Sequence, residues 1–461
     1  MRCKVRLIRS AWFSLLLVLG WMAIFPPANA AAASTSGCRI HPASFDGWNA
    51  QEIENDWVQL LIVPTLGGRL MQVSFNGHPY LFINPKTKGA YIPPEKAAGK
   101  WINYGGDKVW PMPEGDRDEE HWVLQSSPLD DGQYRFSVLS RQPRCVVRLE
   151  GPPDPNTGLQ YTRDIGIGAD SPEISFHAAM KNVTGHPMRW SIQSVSQYNL
   201  ADPANPSNYN HDFWIYTPVN PQSAYLSGYH SVDGLVNDPS FAVQDGLFRL
   251  NWKYLQNEVW LDSPSGWMAV VDRTNGYSMV ERFTYFPGAE YPGKATEIVY
   301  KNGPSVELDA NGNPRLTSSD PAEDPYYTEA ELNSPIVTLQ PGASYAMDTE
   351  WFPTRNDQAV QSVTYAGMVA KPLSLAETAD GSRLTGSFAV FFPGRLEAEL
   401  FDRQGVRRNQ VALGAVSPRN RTDLDAPIAL PPDIVRVSLH LIGDGGIDMG
   451  SLGETFTQRE P

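Results

Sequence analysis

Cysteine is scarce in this sequence, with three residues among 461. No CxxC pair and no Cys/His cluster accompanies them, so the pattern predicts no structural zinc site. HExxH, P-loop, GxSxG and GxGxxG motifs are also missing. The sequence therefore lacks the signatures of zinc proteases, nucleotide-binding proteins and serine hydrolases, and we expect neither a metal nor a bound cofactor.

Long apolar runs are equally rare, and the only one of note spans residues 11–25. Four cations between Arg2 and Arg9 precede it, and an A-x-A cleavage pattern follows at Ala28–Ala30. This order predicts a cleavable signal peptide over residues 1–30 and a periplasmic or secreted protein. A membrane anchor is the alternative, but fifteen apolar residues are fewer than the roughly 20 that a spanning helix needs.

Removal of residues 1–30 takes away four cations and no acid, so the net charge changes from −14 to −18. A surface this acidic repels nucleic acid and anionic lipid, and we expect neither nucleic-acid binding nor membrane insertion after cleavage. Cys38 and Cys145 remain, and the sequence leaves open whether they pair. Lipid attachment at Cys38 is a weaker alternative, because the preceding residues make a poor lipobox.

Apolar patterns with helical spacing are missing as well, and residues 364–375 could form one short helix at most. Alternating apolar segments such as Val435–Leu441 recur between turn residues, and the 39 prolines and 38 glycines favour many turns. The pattern predicts an all-β protein. Aromatic content falls after residue 357, so we predict a large β domain over residues 31–354 and a small β-sandwich over 360–461.

Two glycine-rich segments are candidates for a ligand site. Gly67–Arg69 places a cation beside paired glycines in a strand, where it could reach a ligand oxygen or simply be solvated. The loop after Gly105 contains Asp107, Lys108 and Trp110. An aromatic face with nearby charges suits a sugar, although a structural loop with a buried tryptophan would look the same.

A third segment contains Glu329 and Glu331, which point to the same face if the segment is a strand. Two buried carboxyls this close would separate in pKa, and one of them could then act as a base. An exposed acidic pair is the alternative.

These three segments, in this order, resemble the galactose mutarotase-like superfamily, and most of all its DUF4380-type branch. The likeness covers residues 50–354 and implies a β-supersandwich with a sugar cleft on one face. It implies Glu331 as the late catalytic carboxylate, with Glu329 second. The family's histidine-bearing strand corresponds to Ser194–Leu200, which lacks histidine but supplies Tyr198.

The missing histidine argues against standard aldose 1-epimerase activity, although Lys108 or His211 could replace it as the acid. We expect an exported carbohydrate-binding protein, with Arg69, Asp107, Trp110 and Tyr198 as ligand-binding residues. One alternative is an aldose 1-epimerase-like enzyme with Glu331 as base and Glu329 and Lys108 as further catalytic residues. A second alternative is an envelope structural or interaction protein.

Overall fold

The computed structural model describes residues 37–115, 121–235, 238–253, 256–303, 306–308, 310–311, 314–316, 325–378 and 381–457. The predicted signal peptide lies outside these ranges, so export stays a prediction. Within the described part of the chain, no helix is both long enough and apolar enough to cross a membrane.

Strands dominate the described residues, as the sequence predicts. In chain order they are β1 Arg39–Phe45, β2 Trp48–Glu54, β3 Val58–Val63, β4 Arg69–Phe75, β5 His78–Pro79, β6 Asp107–Met112, β7 Arg135–Ser140, β8 Cys145–Glu150, β9 Leu159–Ile167, β10 Ile174–Asn182, β11 Met188–Asn199, β12 Ala201–Asp202, β13 Asn205–Tyr209, β14 Phe213–Pro218, β15 His230–Gly234, β16 Phe241–Gln244, β17 Leu247–Asn251, β18 Asn257–Leu261, β19 Trp267–Asp272, β20 Tyr277–Phe283, β21 Glu297–Lys301, β22 Val306–Leu308, β23 Pro314–Leu316, β24 Tyr327–Asn333, β25 Val337–Leu339, β26 Ser344–Arg355, β27 Ser362–Val363, β28 Gly367–Thr378, β29 Gly381–Val390, β30 Gly394–Asp402, β31 Arg407–Val416, β32 Thr422–Ile428, β33 Ile434–Gly443 and β34 Asp448–Phe456. The one α-helix described, α1, spans Pro128–Asp131, and 3₁₀ turns occur at Pro94–Lys96, Pro292–Lys294 and Asp444–Gly446.

Two large antiparallel sheets form the main body. The front sheet has twelve strands in the order β1-β2-β3-β4-β6-β11-β24-β21-β18-β15, with β5 beside β4 and β25 beside β11. The back sheet has ten strands in the order β16-β17-β14-β19-β20-β26-β10-β9-β8-β7. This all-β architecture confirms the predicted fold class.

The two sheets enclose the main apolar core. Strand β10 of the back sheet alternates buried and more exposed residues, because one face meets the core and the other meets solvent. Strand β11 of the front sheet is different, since Trp190 to Tyr198 are buried without alternation. A central strand buried on both faces must be covered from outside. In this protein, side chains from other segments of the chain pack on the outer face of the front sheet and cover β11 there.

The C-terminal strands form two four-stranded sheets, β27-β28-β29-β32 and β31-β30-β33-β34. Segment 364–375, for which the sequence allowed at most one short helix, lies largely in β28. Its residues pair with β29 on the neighbouring strand, and this pairing overrides any local helical preference. The proposed boundary near residues 354–360 remains a prediction; rings of Phe352 and Phe391 stack across it, 4.6 Å apart.

Cys38 and Cys145 form a disulfide that joins the start of the described chain to β8. The sequence left this pairing open. The bond closes a long loop, with 107 residues of sequence separation between the two cysteines.

Candidate functional site

Strand register places the candidate residues on the outer face of the front sheet. In antiparallel pairs, directly opposed residues point to the same side. Val195 in β11 lies opposite both Lys108 in β6 and Glu331 in β24. Glu331 in turn lies opposite Ile298 in β21, and Ile298 opposite Trp260 in β18. One row of side chains therefore crosses five adjacent strands.

A cavity of about 410 Å³ opens on this face. Five aromatic side chains line it: Trp101, Trp110, Trp260, Tyr300 and Tyr327. Four carboxyl side chains also line it: Glu114, Glu258, Glu329 and Glu331. The structure therefore brings Trp110, Glu329 and Glu331 together, three of the residues that the sequence selected. We call this cavity the front pocket.

Glu329 and Glu331 lie side by side in the floor of the front pocket, and an amide holds each of them. Gln197 Nε2 donates to Glu329 Oε1 at 2.6 Å, and Gln193 Nε2 donates to Glu331 Oε2 at 2.6 Å. Burial raises the pKa of both carboxyls. For Glu331, repulsion from Glu329 raises the pKa further, whereas Lys108 and Gln197 partly offset the rise for Glu329.

Two more carboxyls complete the acidic lining. Although Glu114 exposes part of its side chain at the mouth, enclosure by the pocket walls raises its pKa to about 7. Repulsion from Glu258 and Glu329 adds to this rise. Burial also raises the pKa of Glu258, which accepts a hydrogen bond from Trp260 Nε1. Each of these carboxyls therefore keeps its proton to a higher pH than a solvated carboxyl does.

Lys108 lies beneath the pocket and between two indole rings. Its Nζ is 3.8 Å from the ring centroid of Trp110 and 4.7 Å from that of Trp101. No hydrogen-bond acceptor among the described residues reaches this buried atom. Burial, with a smaller contribution from the positive charge of Arg69, lowers its pKa to about 8. Lys108 is thus near Glu329 without being among the lining residues.

Asp130 organises the tryptophan wall. Its Oδ1 accepts hydrogen bonds from Trp110 Nε1 and from Arg69 Nη2, both at 2.8 Å, and its Oδ2 accepts from Trp101 Nε1 at 3.1 Å. Asp130 lies in the short helix α1, which Ser127 caps by accepting from the Asp130 amide. A single buried carboxylate therefore fixes both indole rings.

Arg69 is fully buried and does not line the front pocket. Besides Asp130, its guanidinium contacts Asp131 at 3.4 Å and the carbonyl of Gly105 at 3.4 Å. The sequence predicted a ligand-binding arginine. In the structure Arg69 instead positions Trp110 through their shared partner Asp130.

Asp107 and Tyr198 point away from the front pocket, into the space between the two sheets. Asp107 pairs with Arg163 of the back sheet, and Tyr198 Oη donates to Glu281 Oε1 at 2.5 Å. Side chains alternate along a strand, so Asp107 must face away from Lys108. The structure therefore does not bring these two predicted ligand-binding residues to the pocket.

Histidine does not occur among the described residues that line the front pocket. His211, which the sequence offered as a replacement acid, instead lies against the ring of Tyr209, with 4.2 Å between the ring centroids. A separate group consists of His41, Glu52 and Glu54 on the β1–β2 hairpin, whose ligand atoms lie within 4.8 Å of one another. These side chains are partly or fully exposed, and Arg39 pairs with Glu54, so the group does not indicate a metal site.

Sequence reasoning missed several pocket residues. Glu114 follows Trp110 by four residues in the second glycine-rich segment, but it was not among the residues selected there. Glu258 and Trp260 alternate in β18 and so share a face, which was the available signal. No local pattern showed that β18 lies two strands from β24. For Asp130 the only local signal was the capping residue Ser127 at the start of α1, which indicates a helix but not a site.

Comparisons with known proteins find no matching family model and no matching curated protein. Among solved structures, the Slr1438 protein of Synechocystis sp. PCC 6803 aligns with 68% of this chain and 100% of its own, at 12% identity and a TM-score of 0.45. A galactose mutarotase-like protein from Clostridium acetobutylicum covers 69% of this chain and 99% of its own, at 9% identity and a TM-score of 0.41. Another from Lactobacillus casei covers 66% and 99%, at 13% identity and a TM-score of 0.40. Scores at this level do not assign an activity.

Proposed function

We propose that this chain is an exported carbohydrate-binding protein that holds a sugar in the front pocket. The observation that carries the proposal is the combination of aromatic walls and amide-held carboxyls around one cavity of about 410 Å³. Sites for small molecules usually measure about 300–1,000 Å³ and combine apolar walls with a few placed polar groups. A sugar ring presents C–H faces to the apolar walls and hydroxyls to the polar groups.

Each wall has a defined part in this proposal. Trp260 is half-buried and offers an indole face on which the apolar side of a pyranose ring can stack. Trp110 is only 4% exposed and has Lys108 over its ring, so it contributes an edge of the wall. Glu329 and Glu331 face the hydroxyl edge, and charged acceptors make the stronger hydrogen bonds. The resemblance of the three sequence segments to the galactose mutarotase-like superfamily, and to its DUF4380-type branch, agrees with this assignment. Export rests on the predicted signal peptide.

Calorimetric titration of the mature chain with neutral hexoses, hexosamines and disaccharides tests the proposal. We expect saturable binding of at least one sugar at a single site per chain. Ethylene glycol, which has hydroxyls but no ring to stack, serves as a control and should not saturate the site. Failure of every sugar in the panel to bind would contradict the proposal.

An enzyme acting at the anomeric carbon is the second candidate, and the unequal environments of Glu329 and Glu331 favour it. The charge of Lys108 is the main influence against the raised pKa of Glu329, whereas three neighbouring carboxyls raise that of Glu331, so Glu329 ionises first. Glu329 would then take the proton of the anomeric hydroxyl while protonated Glu331 gives one to the ring oxygen, and the ring C–O bond opens. Closure on the other face yields the other anomer, and the two protons return. This order reverses the sequence-based expectation that Glu331 is the base.

Anomer exchange measured by NMR separates the two candidates. If the chain is only a binder, a sugar that binds will exchange its anomers at the rate seen without protein. If it is an enzyme, exchange will be faster, and either Glu329→Gln or Glu331→Gln will reduce the acceleration at least about a hundredfold. Acceleration that survives both substitutions would rule out this acid–base pair.

A further inference from the structure

The charge inside the front pocket is strongly one-sided. Four carboxyl groups line the cavity: Glu114, Glu258, Glu329 and Glu331. No Lys, Arg or His is among the described lining residues. A carboxylate makes its strongest hydrogen bonds to a charged donor, so four carboxyls around one cavity favour a ligand that carries a positive charge.

The nearby cations do not balance these carboxyls at the cavity surface. Lys108 lies below the floor, with its Nζ held over Trp110 and Trp101. Arg69 is fully buried and forms ion pairs with Asp130 and Asp131. The surface that a ligand meets is therefore acidic.

A second observation points to a hydrogen-bond donor in the ligand. Gln197 gives its amide N–H to Glu329, but its buried Oε1 has no hydrogen-bond partner among the described residues. A buried amide oxygen without a partner keeps its full desolvation cost. Gln197 is fully buried behind Glu329 and is not among the lining residues, so a donor would have to reach past Glu329 to satisfy this oxygen.

We propose that the preferred ligand of the front pocket is a sugar that carries a protonated amine, such as a hexosamine with a free amino group. This inference rests on the proposed carbohydrate-binding function and names its substrate class. The ammonium provides donors for Glu329 and Glu331, which both line the pocket. The ring provides C–H faces for the indoles, and aromatic faces also attract a cation.

Binding of a cation changes the number of protons on the pocket carboxyls. Whether protons are taken up or released depends on the charged groups around these carboxyls. The four lining carboxyls face one another, and Lys108, Arg69, Asp130 and Asp233 are the further charges near them. Burial raises the pKa of each lining carboxyl, that of Glu114 to about 7, and repulsion from other lining carboxyls adds to the rise for Glu114, Glu258 and Glu331. An ammonium reverses this effect, so binding below about pH 7 releases protons. Affinity therefore rises with pH until the amine of the ligand loses its proton.

Calorimetry on the full mature chain tests this with D-glucosamine, D-glucose and N-acetyl-D-glucosamine, which differ only at C2. Each is titrated near pH 6 in two buffers that differ in ionisation enthalpy. We expect glucosamine to bind at least about tenfold tighter than the other two. Its apparent binding enthalpy will differ between the buffers because protons are released, and that of glucose will not.

A variant localises the effect. In Glu258→Gln, the amide oxygen can still accept from Trp260, so the shape is kept while one charge is removed. The ratio of glucosamine to glucose affinity should fall about tenfold. Glu454→Gln, an exposed residue on β34 that pairs with Arg436, is the matched control and should leave this ratio unchanged.

The outcomes separate this inference from the proposed function. Equal or tighter binding of glucose overturns the amino-sugar inference but leaves carbohydrate binding standing. Choline binding as tightly as glucosamine would show that the pocket recognises the cation without the ring, and overturns the inference too. No binding by any sugar overturns both. The two-buffer comparison uses the unmodified chain, so it decides the matter even if Glu258→Gln does not fold.

Discussion

Replacement of Arg69 by methionine is expected to lower the free energy of unfolding by about 3–5 kcal/mol. The side chain is fully buried, and its guanidinium contacts Asp130 at 2.8 Å and Asp131 at 3.4 Å. Methionine fills similar space but leaves Asp130 without its cation in a buried site. Loss of one partner of a buried pair costs far more than loss of an exposed pair, because the remaining charge keeps its desolvation cost.

Urea unfolding followed by circular dichroism measures this change. Arg135→Met is the matched control, because Arg135 pairs with Glu150 at an exposed site and should cost at most about 1 kcal/mol. The double variant Arg69→Met/Asp130→Asn should recover part of the loss, since the amide carries no charge. Wild-type stability in Arg69→Met would contradict the role of this pair in fixing the tryptophan wall.

Replacement of Trp260 by alanine is expected to weaken sugar binding about 10- to 100-fold. Trp260 is half-buried in β18 and forms a wall of the front pocket, so its loss removes a stacking face but little of the core. A 10- to 100-fold loss of affinity corresponds to about 1.4–2.8 kcal/mol of binding free energy, which stacking and apolar contact together can supply. Calorimetric titration of the variant and the wild type with the same sugar gives the ratio of their dissociation constants.

Trp214→Ala is the control for this variant. Trp214 is also half-buried but lies in β14 of the back sheet, where Arg273 lies over its ring at 5.5 Å. Its loss should leave sugar affinity unchanged. Equal weakening in both variants would mean that the effect is a general loss of stability, and unchanged binding in Trp260→Ala would place the sugar elsewhere.

Local patterns were enough to find the centre of the site. Alternation puts Glu329 and Glu331 on one face of β24 and Lys108 and Trp110 on one face of β6. The sequence predicted a loop here, where alternation does not apply, so only the observed strand β6 shows that Asp107 must face the opposite way. The all-β class likewise follows from local alternation and turn content.

The remainder depends on contacts between distant segments. Arg69 and Asp130 are 61 residues apart, and neither segment alone shows that they form a buried pair. Strand β24 lies beside β11 although more than a hundred residues separate them. Strand order of this kind is set by packing of the whole sheet, so Glu258 and Trp260 became part of the site only once the fold was known.

A crystal structure of the mature chain soaked with the tightest-binding sugar tests the central claim most directly. We expect one sugar in the front pocket, with its ring against Trp260. A hydroxyl or amine of that sugar will lie within hydrogen-bonding distance of Glu329 or Glu331. A sugar bound at another surface while the front pocket holds only solvent would contradict sugar binding at this pocket.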